Sequence, residues 1–127
     1  MANVKTNALR LLDRAGIFCQ THSYEAADGA IDGVSVAEKV GAPAERVYKT
    51  LVTRGASGGY FVFVIPVAAE LDLKAAAKAV GEKSVAMLPV KDLLSVTGYV
   101  RGGCSPVGMK KRFPTVIDSA AAALPAM

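Results

Sequence analysis

Apolar and polar positions alternate with two different periods along the chain, and the period changes mark the elements. Val4, Ala8, Leu11, Leu12 and Ala15 fall on one helical face, with Gly16 where a helix would stop. Ile17 to Tyr24 reads as a strand, although its alternation is imperfect, and Glu25 to Gly33 is a loop carrying Asp28 and Asp32. Ser35 with Glu38 matches a capping box for a short helix, which Gly41 closes. Pro43 suits the opening of another helical turn, because its missing N–H would find no partner there.

The clearest strands are Val47 to Arg54 and Tyr60 to Pro66, joined by the hairpin loop Gly55-Ala56-Ser57-Gly58-Gly59. Tyr60-Phe61-Val62-Phe63-Val64-Ile65 is apolar on both parities, which predicts a strand inside the sheet and covered on both faces. Asp72 is placed to cap a helix whose Leu73, Ala76, Ala77 and Val80 follow the helical period, and Gly81 ends it. After it come a short strand at Val85 to Leu88, a short helix at Pro89 to Val96 and a strand end at Tyr99-Val100. A glycine-rich loop at Arg101 to Gly108 and a strand at Phe113 to Ile117 complete the pattern. No repeat occurs, and only Ala120 to Ala123 is low in complexity. Interleaved short strands and helices with a hairpin predict an α+β fold, a mixed sheet rather than a doubly wound parallel one.

Composition removes several classes. With 127 residues, 52% of them hydrophobic and 20% charged, the chain fits one folded domain and not a disordered segment. The apolar run Tyr60 to Ala69 contains Pro66 and is about half the ~20 residues of a membrane span. The N-terminal stretch has Lys5, Arg10 and Arg14 but no apolar core of a secretory signal. Cys19 and Cys104 make no disulfide framework, and no zinc spacing surrounds His22, so a reduced, cytoplasmic protein without a metal is expected. The net charge is +4, and from Leu93 onward Arg101, Lys110, Lys111 and Arg112 face only Asp118. Such a concentration either steers a polyanion or forms a solvated surface turn.

The candidate chemistry is narrow. One histidine leaves little room for a nucleophile relay, the carboxylates are scattered, and neither a Walker loop nor a dinucleotide fingerprint is present. Two places depart from a plain fold. Period two puts Lys49 on the same face as Val47 and Leu51, so its ammonium either snorkels to water at the sheet's rim or enters a pocket, where it would bind a phosphate or a developing oxyanion. Gly102-Gly103-Cys104-Ser105-Pro106-Val107-Gly108 is either a tight turn or an anion-binding nest of backbone N–H groups. Cys104 has no evident partner base, which makes it a loop side chain rather than a thiol nucleophile.

Both places fall in segments that resemble a known family. Val47-Tyr48-Lys49-Thr50-Leu51, then Leu71-Asp72-Leu73-Lys74, then Thr97-Gly98-Tyr99-Val100-Arg101-Gly102-Gly103-Cys104-Ser105-Pro106-Val107-Gly108-Met109-Lys110-Lys111, and finally Pro114-Thr115-Val116-Ile117-Asp118 resemble the YbaK/EbsC family of Cys-tRNA(Pro) deacylases. That family is related to the editing domain of bacterial prolyl-tRNA synthetases. The resemblance implies a single α/β domain over residues 1–127, with a mixed, partly closed sheet surrounded by helices, and no cofactor. It implies removal of cysteine from mischarged tRNA(Pro), by attack of the substrate's own thiol on its carbonyl.

By the same resemblance Lys49, Gly102 and Gly103 would be catalytic, while Tyr24, Thr50, Cys104, Ser105 and Pro106 would line the aminoacyl pocket. Lys110, Lys111 and Arg112 would meet the tRNA acceptor end. Family members continue past the Pro-Thr-Val-Ile-Asp segment, whereas this sequence ends at Met127, so a partner copy in a homodimer or a more open pocket is expected. An Ala-tRNA(Pro) deacylase and a non-cleaving module that binds tRNA or prolyl-tRNA synthetase are the alternatives. No membrane partner is expected.

Overall fold

The computed structural model describes residues 7–21, 33–99, 104–124 and 127. The centre of the fold is the hairpin of β1 (Tyr48–Gly55) and β2 (Tyr60–Pro66), antiparallel from Tyr48 opposite Pro66 to Arg54 opposite Tyr60. Its turn is closed by Gly55 N–H to Gly59 O at 2.7 Å and held from outside by Glu82, whose carboxylate accepts from Ser57 N and Oγ. β3 (Val85–Met87) adds antiparallel to the far end of β1, and β4 (Thr115–Ile117) adds parallel to β2. The described strands therefore run β3-β1-β2-β4 as a mixed sheet. The doubly apolar strand β2 lies inside it, with Val62 to Ile65 buried, as its sequence predicts.

Helices form where the period and the caps agree. α3 (Leu73–Val80) starts at Asp72, whose carboxylate accepts from Lys74 N at 3.0 Å and Ala75 N at 3.1 Å, and Gly81 closes it by donating to Ala77 O and Lys78 O. α4 (Val90–Thr97) follows Pro89 and ends at Gly98. α1 (Asn7–Arg14) and α2 (Gly33–Val40) precede the sheet, and Pro43 introduces a single 3-10 turn at Ala44–Arg46. A second 3-10 turn, Ser119–Ala123, follows β4 and is capped by Asp118.

Two clusters build the core, one on each face. Phe63, Ala76, Ala77 and Val85 pack together under α3. Val52, Val62 and Leu88 form the other, with Leu93 and Val96 of α4 and with Cys104, Met109 and Phe113 from the segment before β4.

Several expectations need correction. Residues 17–21 form no strand and pair with no described strand, and Phe18 is 84% exposed; residues 22–24 lie outside the described residues. Ser35 sits inside the first turn of α2 rather than before it, so the Ser35–Glu38 capping box does not mark the helix start. Tyr99 is not in a strand: Thr97 Oγ1 accepts its N–H at 3.0 Å, and Val100 lies outside the described residues. Phe113 stays out of β4, since pairing begins one residue later at Pro114 O, which accepts from Val62 N; its ring packs edge-to-face on Tyr60, centroids 5.7 Å apart. α1 buries no residue, so its apolar stripe is only half-covered.

Candidate functional site

Strand register decides where Lys49 points. Residues directly opposite in a pair share a face, and successive residues alternate. Lys49 is opposite Ile65 and Leu51 opposite Phe63, so Lys49 lies on the face covered by α3. Thr50, opposite Val64, shares the other face with Val52 and Val62, the face on which Cys104, Met109 and Phe113 pack. The two motif residues are thus on opposite faces, both half-buried. Lys49 has only apolar neighbours on its own face by register (Val47, Leu51 and the buried Ile65), so none of them offers a counter-charge.

The strand edge beside Lys49 and Thr50 is open. β3 pairs with β1 only from Thr53 onward. Val67 N–H to Val47 O at 2.9 Å and Gly55 N–H to Gly59 O fix the odd positions of β1 as those bonded to β2. The peptide groups of Tyr48 and Thr50 therefore face outward, along an edge that no described strand covers.

Tyr48, first residue of β1, carries a buried hydroxyl with no hydrogen-bond partner among the described residues. A buried unpaired hydroxyl costs about 1–3 kcal/mol. Replacing Tyr48 by phenylalanine is accordingly expected to hold or raise the midpoint of denaturant unfolding, where a bonded buried tyrosine would lower it.

The loop after α4 is organised by three side chains that the sequence pattern did not single out for this role. Thr97, fully buried, donates its hydroxyl to Leu93 O at 2.8 Å, accepts from Tyr99 N, and offers its carbonyl to Lys110 N at 3.0 Å. Tyr99 donates its phenol to Val107 O at 2.7 Å. Asn7 of α1 donates to Gly108 O at 3.1 Å, a link 101 residues long in sequence that no local signal announces. Ser105 Oγ accepts from Val107 N at 3.1 Å, which leaves its O–H as a donor. Pro106 is exposed beside it, and Lys110, Lys111 and Arg112 follow as three exposed cations. Tyr24, Gly102 and Gly103 lie outside the described residues.

Cys104 is half-buried against Val52 and Val62. Desolvation pushes its thiol above the ordinary value, partly offset by a hydrogen-bonding interaction with the Thr97 side chain. Tyr99 is likewise pushed up, by burial first and by the nearby Cys104 second. A thiol with a raised pKa carries little thiolate at neutral pH and is a poor nucleophile. Alkylation by iodoacetamide at pH 8 should therefore modify the exposed Cys19 well before Cys104, with the Cys104 rate still climbing above pH 9, as mass spectrometry of a time course would show.

Among the described residues no group of three or more His, Cys, Asp or Glu is placed to hold a metal ion, and no helix is long and apolar enough to cross a membrane.

The chain belongs to the aminoacyl-tRNA editing domain family, whose profile matches residues 30–127. It is 48% identical over 113 residues to the Enterococcus faecalis protein named "Putative Cys-tRNA(Pro)/Cys-tRNA(Cys) deacylase EbsC", a match covering 89% of this chain and 69% of that protein. A crystal structure of "a putative trans-editing enzyme for prolyl tRNA synthetase" superposes with a TM-score of 0.78 at 25% identity, covering 97% of this chain and 78% of that one. The crystal structure of a hypothetical protein, 20% identical, gives a TM-score of 0.75 over 89% of this chain and 73% of that one and shows the likeness of fold.

Proposed function

We propose that this chain is a trans-editing deacylase that removes cysteine from mischarged tRNA(Pro). Membership of the editing family supports this reading, and so does the name of the 48% identical relative. The observation that carries it is Lys49: a half-buried cation whose neighbours by register are apolar, at the open end of the sheet. A cation so placed favours a ligand that brings negative charge, either an acceptor-end phosphate or the oxyanion that develops during ester cleavage.

The chemistry needs no protein nucleophile, which suits a site whose one nearby thiol is held protonated. The thiol of the esterified cysteine attacks its own carbonyl carbon. A C–S bond forms, the C–O bond to the ribose breaks, and the thiol proton passes to the departing 3′ oxygen. The products are a cyclic thiolactone, which water then opens, and tRNA with a free hydroxyl. Holding thiol and carbonyl in contact is worth up to ~7–11 kcal/mol in well-oriented cases. Lys49 and backbone donors of Gly102 and Gly103 would carry the oxyanion. Tyr24, Thr50, Cys104, Ser105 and Pro106 would shape the pocket, with Cys104 acting as an apolar wall. Lys110, Lys111 and Arg112 would take acceptor-end phosphates.

On this reading the whole chain acts as one editing unit in the cytoplasm, with charged tRNA as its partner and prolyl-tRNA synthetase or a second copy as candidate companions. A prolyl ester lacks the thiol and would be spared. Release of cysteine from purified Cys-tRNA(Pro), assayed beside Cys-tRNA(Cys) and Ala-tRNA(Pro), tests the proposal. Loss of cysteine from the first supports it. Loss of alanine alone would make the chain an alanyl deacylase, and binding without loss of either would make it a non-cleaving module.

A further inference from the structure

A cleft of about 320 Å3 lies between α1 and the segment that runs from the loop into β4. Its apolar wall is Leu11 of α1 with Met109 and Phe113, while Lys111 and Arg112 line it with cations and Thr115 adds a hydroxyl. Leu11 is 38% exposed, although it sits on the stripe that the helical period would bury. The Phe113 ring is oriented by its edge contact with Tyr60, and Met109 belongs to the core cluster, so that wall is part of the packed fold. The opposite wall is fixed by the Asn7–Gly108 hydrogen bond.

The volume is at the small end of the ~300–1,000 Å3 range of ligand clefts, enough for one flat ring with its substituents and too little for a helix. Phosphate alone would have no use for the apolar wall, and an apolar ligand would have none for two cations. A nucleotide satisfies both, with the base against the hydrophobic side chains and the phosphate on the cations. We propose that this cleft binds one unpaired nucleotide of an RNA 3′ end, its base against Leu11, Met109 and Phe113 and its phosphate on Lys111 and Arg112. The inference takes its polyanion from the deacylase reading and adds a contact to the base, where the basic run alone would contact only phosphates.

The probe is an uncharged, 5′-labelled RNA hairpin ending in unpaired CCA, compared with the same hairpin bearing abasic nucleotides in the unpaired end. Fluorescence anisotropy should show the intact end binding at least fivefold more tightly, since stacking a base contributes ~1–3 kcal/mol. Leu11→Trp, which fills the cleft, should remove that preference with the salt slope unchanged. Lys111→Ala should lower the slope by about 0.7, as expected for one phosphate contact on a single strand. In case Leu11→Trp perturbs α1, the wild-type Met109 methyl signal is followed by NMR and should shift with the intact RNA and not with inorganic phosphate. Equal affinity for the abasic RNA, or a Met109 methyl that stays put, overturns the proposal. Because the probe carries no amino acid, RNA binding without cleavage of Cys-tRNA(Pro) would sink the deacylase reading and leave the cleft. Cleavage with no base preference would sink the cleft alone.

Discussion

Lys49→Ala is expected to lower release of cysteine from Cys-tRNA(Pro) at least a hundredfold, with thermal unfolding shifted little. Removing one donor to a developing oxyanion costs ~2.7–4 kcal/mol in comparable acyl-transfer sites. Lysine contributes more than a neutral donor only where solvent is partly excluded, and Lys49 meets that condition through Ile65 and Leu51 on its own face. Alanine at this position leaves those apolar neighbours in place, so the fold has no reason to fail. Lys49→Arg keeps the charge but spreads it over a planar fork, and partial activity would show that charge rather than shape matters most. Single-turnover deacylation of purified charged tRNA, with a melting curve for each variant, reads both effects. Full activity in a folded Lys49→Ala protein would remove the lysine from the mechanism and leave the binding module as the better description.

The second large effect is expected at Gly108. Its φ of +81° lies in the left-handed region, and a Cβ there would stand 2.8 Å from Asn7 Nδ2, 3.1 Å from the Tyr99 hydroxyl and 3.3 Å from the backbone N of Ala8. Gly108→Ala therefore combines backbone strain of about 1–3 kcal/mol with displacement of both hydrogen bonds that pin the loop. Gly41→Ala is the control: φ is +70°, and nothing lies within 4 Å of its Cβ. Both variants are expected to melt lower than the wild type, Gly108→Ala by clearly more. The excess reports the crowding of the added Cβ against Asn7, Ala8 and Tyr99. If the deacylase pocket uses this loop, Gly108→Ala also loses cysteine release, whereas Gly41→Ala keeps it.

How legible the protein was varies with the reach of each interaction. The β1–β2 hairpin, the buried middle strand and the capped helix α3 follow from residues within a few positions of one another: Tyr60 to Ile65, Asp72 with Lys74 and Ala75, Gly81 after Val80. Their partners are local, so a period or a cap reports them. Residues 17–21 show the limit: apolar residues alone do not make a strand, these pair with no described strand, and Phe18 is left in solvent. Tyr99 shows it too: its β-favouring ring serves a hydrogen bond to Val107 instead of a ladder.

The sequence by itself determined the mixed α and β composition of the fold and the family, since motif and period are properties of neighbours along the chain. Only the tertiary structure decided that Lys49 and Thr50 serve opposite faces of one sheet, that the segment carrying Cys104 packs on the Thr50 face, and that Asn7 clamps Gly108 to open a cleft beside two cations. Those relations depend on register and on contacts across up to 101 residues, and the energy that selects them is shared among many weak terms that no single stretch of sequence contains.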